Sequence, residues 1–400
     1  MKKYIVILFD GMADYPDSAG NTPMKEACKP VTDALAAAGE TGLCRTVPAG
    51  MKPGSDVANL SVMGYDPAVY YTGRSPLEAL SIGAAMSEAD VSYRCNLVTL
   101  SESNDFEKRI MLDYSAGEIK SEEASELIAY LTENLSADGA RLYAGVSYRH
   151  CLILKNGETG AELTPPHDIT GKAVGPYLPK GANSVLLNEI TKSSIELLKN
   201  HPVNAERIKR GQKPANSVWF WGEGRKPALK SFYSLHGKKG AVISAVDLLK
   251  GIAKAADLQA PDVPGATGTI NSNFDGKAEA AIKALAANDF VYVHLEAPDE
   301  CGHQGDYDGK RRSIELIDKK IVAPIVDYLR ENDIPFRLAV LPDHATPVSL
   351  KTHTSDPVPY LIYDSEQSRP GPDAFNEETA KNTGNFLESG TELLKKLLCE

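Results

Sequence analysis

Asp343 and His344 stand side by side in PDHATP, directly after the apolar run at 336–342, and His353 follows nine residues later. The pairing of carboxylate with imidazole recurs in APDECGH, where Asp299 precedes His303 by four residues just past the apolar run at 290–296. Asp10 closes a third such run, YIVILF at 4–9. Taken singly, an aspartate after a strand is an ordinary cap or turn residue, and a lone histidine is more often a partly buried polar residue than a ligand. Three separate strand ends with the same chemistry call for a common explanation. Converging carboxylate oxygens and imidazole nitrogens form the ligand set of a divalent metal such as Mn²⁺ or Zn²⁺. Six such groups exceed what one tetrahedral ion takes, so two ions are implied. His150, His167 and His294 lack this company, and His294, inside an apolar strand, reads as a core residue.

A metal pair needs a group to activate. Ser55 follows Gly54 in the Pro/Gly-rich loop PAGMKPGS and precedes DVANLSVMG, where Asp56 favours a helix start. A serine there meets a helix N-terminus, which attracts phosphate. A neighbouring metal would lower its hydroxyl pKa and make it a nucleophile without a histidine base. On this loop alone, a plain N-cap serine is the simpler reading.

These residues need a frame that brings them together. Short β-rich runs at 4–9, 217–222, 240–246, 290–296 and 336–342 alternate with helical patterns, as in an α/β fold with a mostly parallel sheet flanked by helices. Asp10, Asp299 and Asp343 then project from the carboxyl ends of three strands, the edge where open parallel sheets bind ligands. Ile314, Ile317, Ile321, Ile325 and Leu329 mark one buried helix face over about five turns. The C-terminal LESGTELLKKLL reads as a shorter helix. Residues 89–180 differ in kind: strand (VSYRCNLVTL), helix (SEEASELIAYLTENL), strand (RLYAGVSYRHCLIL), then Gly/Pro-rich connections. They predict a smaller α+β unit inserted into the sheet domain, so the expected domains are 1–88 with 181–400, and 89–180.

Composition narrows the partners. Lysine and arginine number 43 against 54 acidic residues, a net charge of −11 with no basic stripe, which argues against nucleic acid and anionic membranes. No stretch approaches the roughly 20 apolar residues of a membrane span. The N-terminal apolar run is short and lacks a cleavage pattern, so a buried strand is expected there and not a signal. The six cysteines are scattered without a C-x-x-C pair, which suits a reducing cytoplasm. Oligomeric state is left open.

GSDVANLSVMGYDP, YTGRSPLEAL, APDECGH and PDHATP with THTSDPVP, together with the central SYRCNL, SYRH and PPHDITGK, resemble the archaeal-type 2,3-bisphosphoglycerate-independent phosphoglycerate mutases of the alkaline phosphatase superfamily. The resemblance spans nearly the whole chain. It implies an alkaline-phosphatase-like sheet domain with an inserted cap that closes over the cleft and excludes water. It also implies a phosphoserine intermediate at Ser55 and two divalent ions, Mn²⁺ first and Mg²⁺, Zn²⁺ or Co²⁺ as alternatives, with no 2,3-bisphosphoglycerate. One ion would take Asp10, Ser55, Asp343 and His344, and the other Asp299, His303 and His353. Arg74, Arg94 and Arg149, with His150 and Lys277, are the candidates for holding the carboxylate and phosphate of a small phosphorylated substrate. Rival readings are a homoserine kinase or metal phosphohydrolase of the same superfamily, and a non-catalytic metal or anion binder.

Overall fold

The computed structural model describes residues 1–135 and 137–398. Cys399, one of the six cysteines, lies outside the described residues. The strands are β1 (Lys3–Phe9), β2 (Glu40–Cys44), β3 (Val91–Leu100), β4 (Met111–Asp113), β5 (Ala140–Tyr143), β6 (Arg149–Leu154) and the short pair β7 (Ala161–Glu162) and β8 (Lys180–Gly181). They continue with β9 (Ser217–Arg225), β10 (Gly240–Ile243), β11 (Phe290–Leu295), β12 (Phe336–Leu341), β13 (Val358–Asp364) and β14 (Phe386–Leu387). The chain divides into two compact units, Met1–Tyr71 with Leu229–Glu400, and Thr72–Ala228.

The first unit is built on a seven-stranded sheet of order β10-β11-β1-β12-β13-β2-β14. Four of its six pairings are parallel, and only β13, paired with β12 and β2, runs antiparallel to its neighbours. β1, β11 and β12 are near-continuous apolar runs because helices cover both faces, as strands buried on both sides require. Ile5, Ile7, Phe9, Val291, Val293, Leu295, Leu338 and Val340 share one core with Ile314, Ile317, Ile321, Ile325 and Leu329. Those last five lie on one continuous rod: Tyr307–Ile317, a π-helical turn Asp318–Val322, then Ala323–Glu331. Pro324 explains the widened turn. It has no N–H for the carbonyl four residues back, and the backbone N–H of Ala323 reaches instead to the carbonyl of Asp318. The Asp318 side chain, also buried, accepts from the backbone N–H groups of Val31 and Thr32 and from the Thr32 hydroxyl, which caps the helix Pro30–Ala37.

The second unit is organised around β3, antiparallel to β4 and β6 on one side and to β9 on the other, with β5 outside β6. Leu127, Ile128 and Leu131 from the helix Ser121–Asn134, and Leu187, Ile190 and Leu198 from Ser184–Leu198, fill the core on one face. Ala79 from the helix Arg74–Ser81 packs with Cys151 and Ile153 on the other.

Two differences from the sequence expectation have physical causes. The run at 217–222 does not join the parallel sheet; it pairs along β3 as part of β9. The expected boundaries at 88/89 and 180/181 both fall inside the second unit, because Arg74–Ser81, Ser184–Leu198 and β9 bury their apolar faces on β3 and its neighbours. Among the described residues, no helix is long and apolar enough to cross a membrane. Cys28, Cys44, Cys95, Cys151 and Cys301 are all free thiols.

Candidate functional site

β1 lies between β11 and β12, so whatever follows those three strands meets at one sheet edge. Asp10 follows β1, Asp343 and His344 come two and three residues after β12, and Asp299 sits in the first turn of the helix Ala297–Gln304 that follows β11. Asp343 is fully buried and tightly held. Its Oδ1 accepts from the backbone N–H groups of Gly11 (3.1 Å) and His344 (2.9 Å), its Oδ2 from Asn59 Nδ2 (2.9 Å), and its backbone carbonyl from the Thr46 hydroxyl.

Ser55 is the first residue of the helix Ser55–Val62, with Gly54 in extended conformation before it. Its Oγ is 3.1 Å from His344 Nε2, and that nitrogen is 3.6 Å from Asp10 Oδ1 and 3.4 Å from Asp343 Oδ2. Asn59, one turn further along the helix, donates to the Ser55 carbonyl as well as to Asp343, and accepts from Tyr292 OH at 2.6 Å. A second group lies beside the first. Asp299 Oδ2 is 3.3 Å from His303 Nε2 and Oδ1 is 3.4 Å from His353 Nε2, while the two imidazole nitrogens are 2.9 Å apart. The rings of His344 and His353 stack at 3.9 Å, so the two groups adjoin.

The electrostatics of this cluster call for cations. Burial, then the charges of Asp343 and Asp299, drive the Asp10 carboxyl well above the ordinary range. Burial opposes ionisation of Asp343 and Asp299 too, but the adjoining His344 imidazole holds Asp343 down, and hydrogen bonds from His303 and His353 hold Asp299 well below its usual value. The Asp299 carboxylate in turn raises His303 to about 9. Asp10 Oδ1 is buried without a hydrogen-bond partner, and a buried acceptor left that way is costly unless something positive faces it. Carboxylate oxygen, imidazole nitrogen and one hydroxyl fit hard or borderline divalent ions. By proximity the donors sort into Asp10, His294 and Asp343, and Asp299, His344 and His353. His344 belongs to the second set by that measure, yet its Nε2 faces Ser55 and Asp10.

All seven residues expected at the metal centre are therefore brought together, and three more join them that sequence reasoning passed over or read differently. His294, read as a core residue, is buried as expected, but its Nε2 is 2.9 Å from Asp10 Oδ2 and its Nδ1 is 3.2 Å from Ser244 Oγ. Asn59 was signalled only by its i,i+4 spacing from Ser55, which puts both on one helix face. Thr346 lies two residues past His344, in the same PDHATP motif.

The candidate substrate contacts separate. In the second unit, Glu78 accepts from Arg74 Nε and Arg94 Nε, both at 2.8 Å. The Arg94 guanidinium lies 3.7 Å over the Trp221 ring, and Arg149 lies 5.2 Å over Tyr148. Arg149 pairs across the sheet with Asn96, two residues along β3 from Arg94, so both arginines share a face. His150 points to the opposite face. It is buried, burial pushes it down to about 3, and its Nδ1 accepts from the Gly145 N–H. Lys277 belongs to the first unit, where it is buried with Nζ donating to the His294 carbonyl at 3.1 Å.

A serine-bearing helix start beside clustered carboxylates and imidazoles on a parallel sheet edge is an arrangement suited to metal-assisted phosphoryl transfer. Residues 36–204 match the family model described as 2,3-bisphosphoglycerate-independent phosphoglycerate mutase. A Methanosarcina acetivorans protein of that name is 48% identical over 401 residues, covering 99% of each chain. The solved cofactor-independent phosphoglycerate mutase of Thermoplasma acidophilum superposes with a TM-score of 0.68 at 27% identity, covering 100% of this chain and 99% of its own. A Pyrococcus horikoshii protein of known structure superposes with a TM-score of 0.82 at 28% identity, covering 100% and 98%. The chain belongs to the 2,3-bisphosphoglycerate-independent phosphoglycerate mutase family.

Proposed function

We propose that the protein interconverts 3-phosphoglycerate and 2-phosphoglycerate with Ser55 as the group that takes and returns the phosphoryl unit. The observation that carries this reading is the Ser55 hydroxyl, 3.1 Å from His344 Nε2 at a helix N-terminus beside three clustered aspartates. Asp10, Ser55, Asp343 and His344 would hold one divalent ion, and Asp299, His303 and His353 the other, Mn²⁺ being the first candidate. Such ions supply Lewis-acid stabilisation of phosphoryl charge and lower the pKa of a nearby hydroxyl.

The chain's own groups account for the rest. Ser55 Oγ bonds to phosphorus as the bond from phosphorus to the substrate's C3 oxygen breaks, and the proton given up by the serine hydroxyl is balanced by one gained at that oxygen, leaving phosphoserine and glycerate. Glycerate then presents its 2-hydroxyl oxygen to the same phosphorus, and the serine is restored without 2,3-bisphosphoglycerate. The helix N-terminus at Ser55 favours the phosphate. Arg74, Arg94 and Arg149 are the groups with the fork geometry for the carboxylate and phosphate oxygens. His150, buried on the other face of its sheet, has a packing role, and Lys277 acts as a buried support under His294. A reducing cytoplasm suits the five described free thiols.

The test is phosphorus and proton NMR of purified protein with 3-phosphoglycerate, first chelated and then with Mn²⁺, in the absence of bisphosphoglycerate. Appearance of 2-phosphoglycerate only with metal is the expected result. Free phosphate would mean that water is the acceptor, and no change would remove phosphoglycerate as substrate. Ser55→Ala is expected to lower turnover by at least about 10³-fold, as loss of a covalent nucleophile does elsewhere.

A further inference from the structure

We infer that Thr346 is a positioning residue that fixes which nitrogen of His344 faces the nucleophile and links the two donor groups. The inference rests on the metal-centre reading above and deepens it. Thr346 is fully buried, with Oγ1 2.5 Å from Asp299 Oδ1 and 3.2 Å from His344 Nδ1. A hydroxyl has one hydrogen to give, and an ionised carboxylate can only accept. The hydrogen therefore goes to Asp299, and the threonine oxygen is left to accept from His344 Nδ1–H. A neutral imidazole carries a single ring hydrogen, so Nε2 is bare, with its lone pair toward Ser55 Oγ, Asp10 Oδ1 and Asp343 Oδ2. Only that tautomer offers the Nε2 lone pair to a cation.

Thr346 is itself held with little freedom. Lys310, completely buried, donates from Nζ to the Thr346 carbonyl (2.8 Å), the Ala13 carbonyl (3.0 Å) and Asp14 Oδ2 (2.7 Å), tying the segment after β1 to the loop after β12. Two glycines make the room. A Cβ on Gly11 would lie 2.6 Å from both Thr346 Oγ1 and Asp299 Oδ1, and one on Gly302 would lie 2.4 Å from the Thr346 carbonyl oxygen. The one hydroxyl thus orients a carboxylate of one donor group and an imidazole of the other, so loss of either partner disturbs both.

Long-range ¹H–¹⁵N NMR of histidine-labelled, metal-free protein reads the tautomer directly, with the His344 signals assigned by their loss in His344→Gln. Wild type is expected to show Nδ1–H, and Thr346→Ser, which keeps the hydroxyl, is expected to do the same. Thr346→Val is expected to shift His344 toward Nε2–H and to weaken Mn²⁺ binding, followed by calorimetry with Mn²⁺ alone, by about 10- to 100-fold, the usual effect of losing an outer-shell partner. A wild-type His344 in the Nε2–H form overturns the inference without recourse to any variant, and so does a folded Thr346→Val with unchanged tautomer and Mn²⁺ affinity. These readouts need no substrate. A protein that passes them but does not convert phosphoglycerate loses the proposed reaction and keeps this role for Thr346.

Discussion

Asn59 makes three hydrogen bonds, to Ser55, Asp343 and Tyr292, all of them inside the protein. Asn59→Leu keeps the volume and removes all three, leaving the buried Tyr292 hydroxyl and one side of Asp343 unsatisfied. Urea denaturation of the metal-free protein is expected to show a loss of about 1–3 kcal/mol for each group so stranded. Asn59 illustrates what the sequence hides at this scale. Asp10, Asp299 and Asp343 were legible because a carboxylate at the end of an apolar run is conspicuous, and because three of them recur. Asn59, His294 and Thr346 each also reach a partner far away in the chain, 284, 284 and 47 residues off respectively, and no local pattern encodes those distant partners. Arg149 and His150 show the converse: they are adjacent in sequence, yet strand pleating sends them to opposite faces, a period-two fact that RHCLIL already contained.

At the scale of elements, β1, β11 and β12 were legible because strands buried on both faces are continuous apolar runs. SVWFWG looked the same but belongs to another sheet, since an apolar run does not name its partner. The long rod from Tyr307 to Glu331 was legible from its isoleucines, although its π-helical turn was not foreseen. Ile321, at that turn and fully buried, is expected to cost about 2–5 kcal/mol when changed to Ala, measured by denaturant unfolding. In the second unit, Asp113 at the end of β4 accepts from Lys213 Nζ at 2.6 Å and from the Ser115 N–H and hydroxyl at 2.8 Å. Burial works against its ionisation, but these partners hold the carboxyl down to about 2, below its ordinary 3.8. A folded-state value below the unfolded one contributes stability that is complete above about pH 4 and is lost as the pH falls toward 2. The stability margin of wild type over Asp113→Asn, from melts across that range, is therefore expected to be flat above pH 4 and to shrink below it.

The molecule as a whole ought to sense its ions. Three buried carboxylates in one cluster repel each other, and a cation that binds only the folded state adds stability by mass action. Chelation is expected to lower the melting temperature and Mn²⁺ to restore it, with roughly 2.7 kcal/mol gained at a free concentration a hundred times the dissociation constant. An unchanged melting temperature would argue against ion binding at the cluster.

β1 also has a consequence for the order of events during synthesis. It is made well before its neighbours in the sheet, β11 and β12, since Tyr4 pairs with Phe290 and Lys3 with Phe336, roughly three hundred residues further along the chain. Closing a loop of that length is slow relative to local contacts. The Thr72–Ala228 unit is contiguous and leaves the ribosome whole before β11 is made. It is positioned to fold while β1 still waits as an unpaired apolar strand, so the nascent chain carries that exposed strand, open to aggregation and chaperones, until β11 is made.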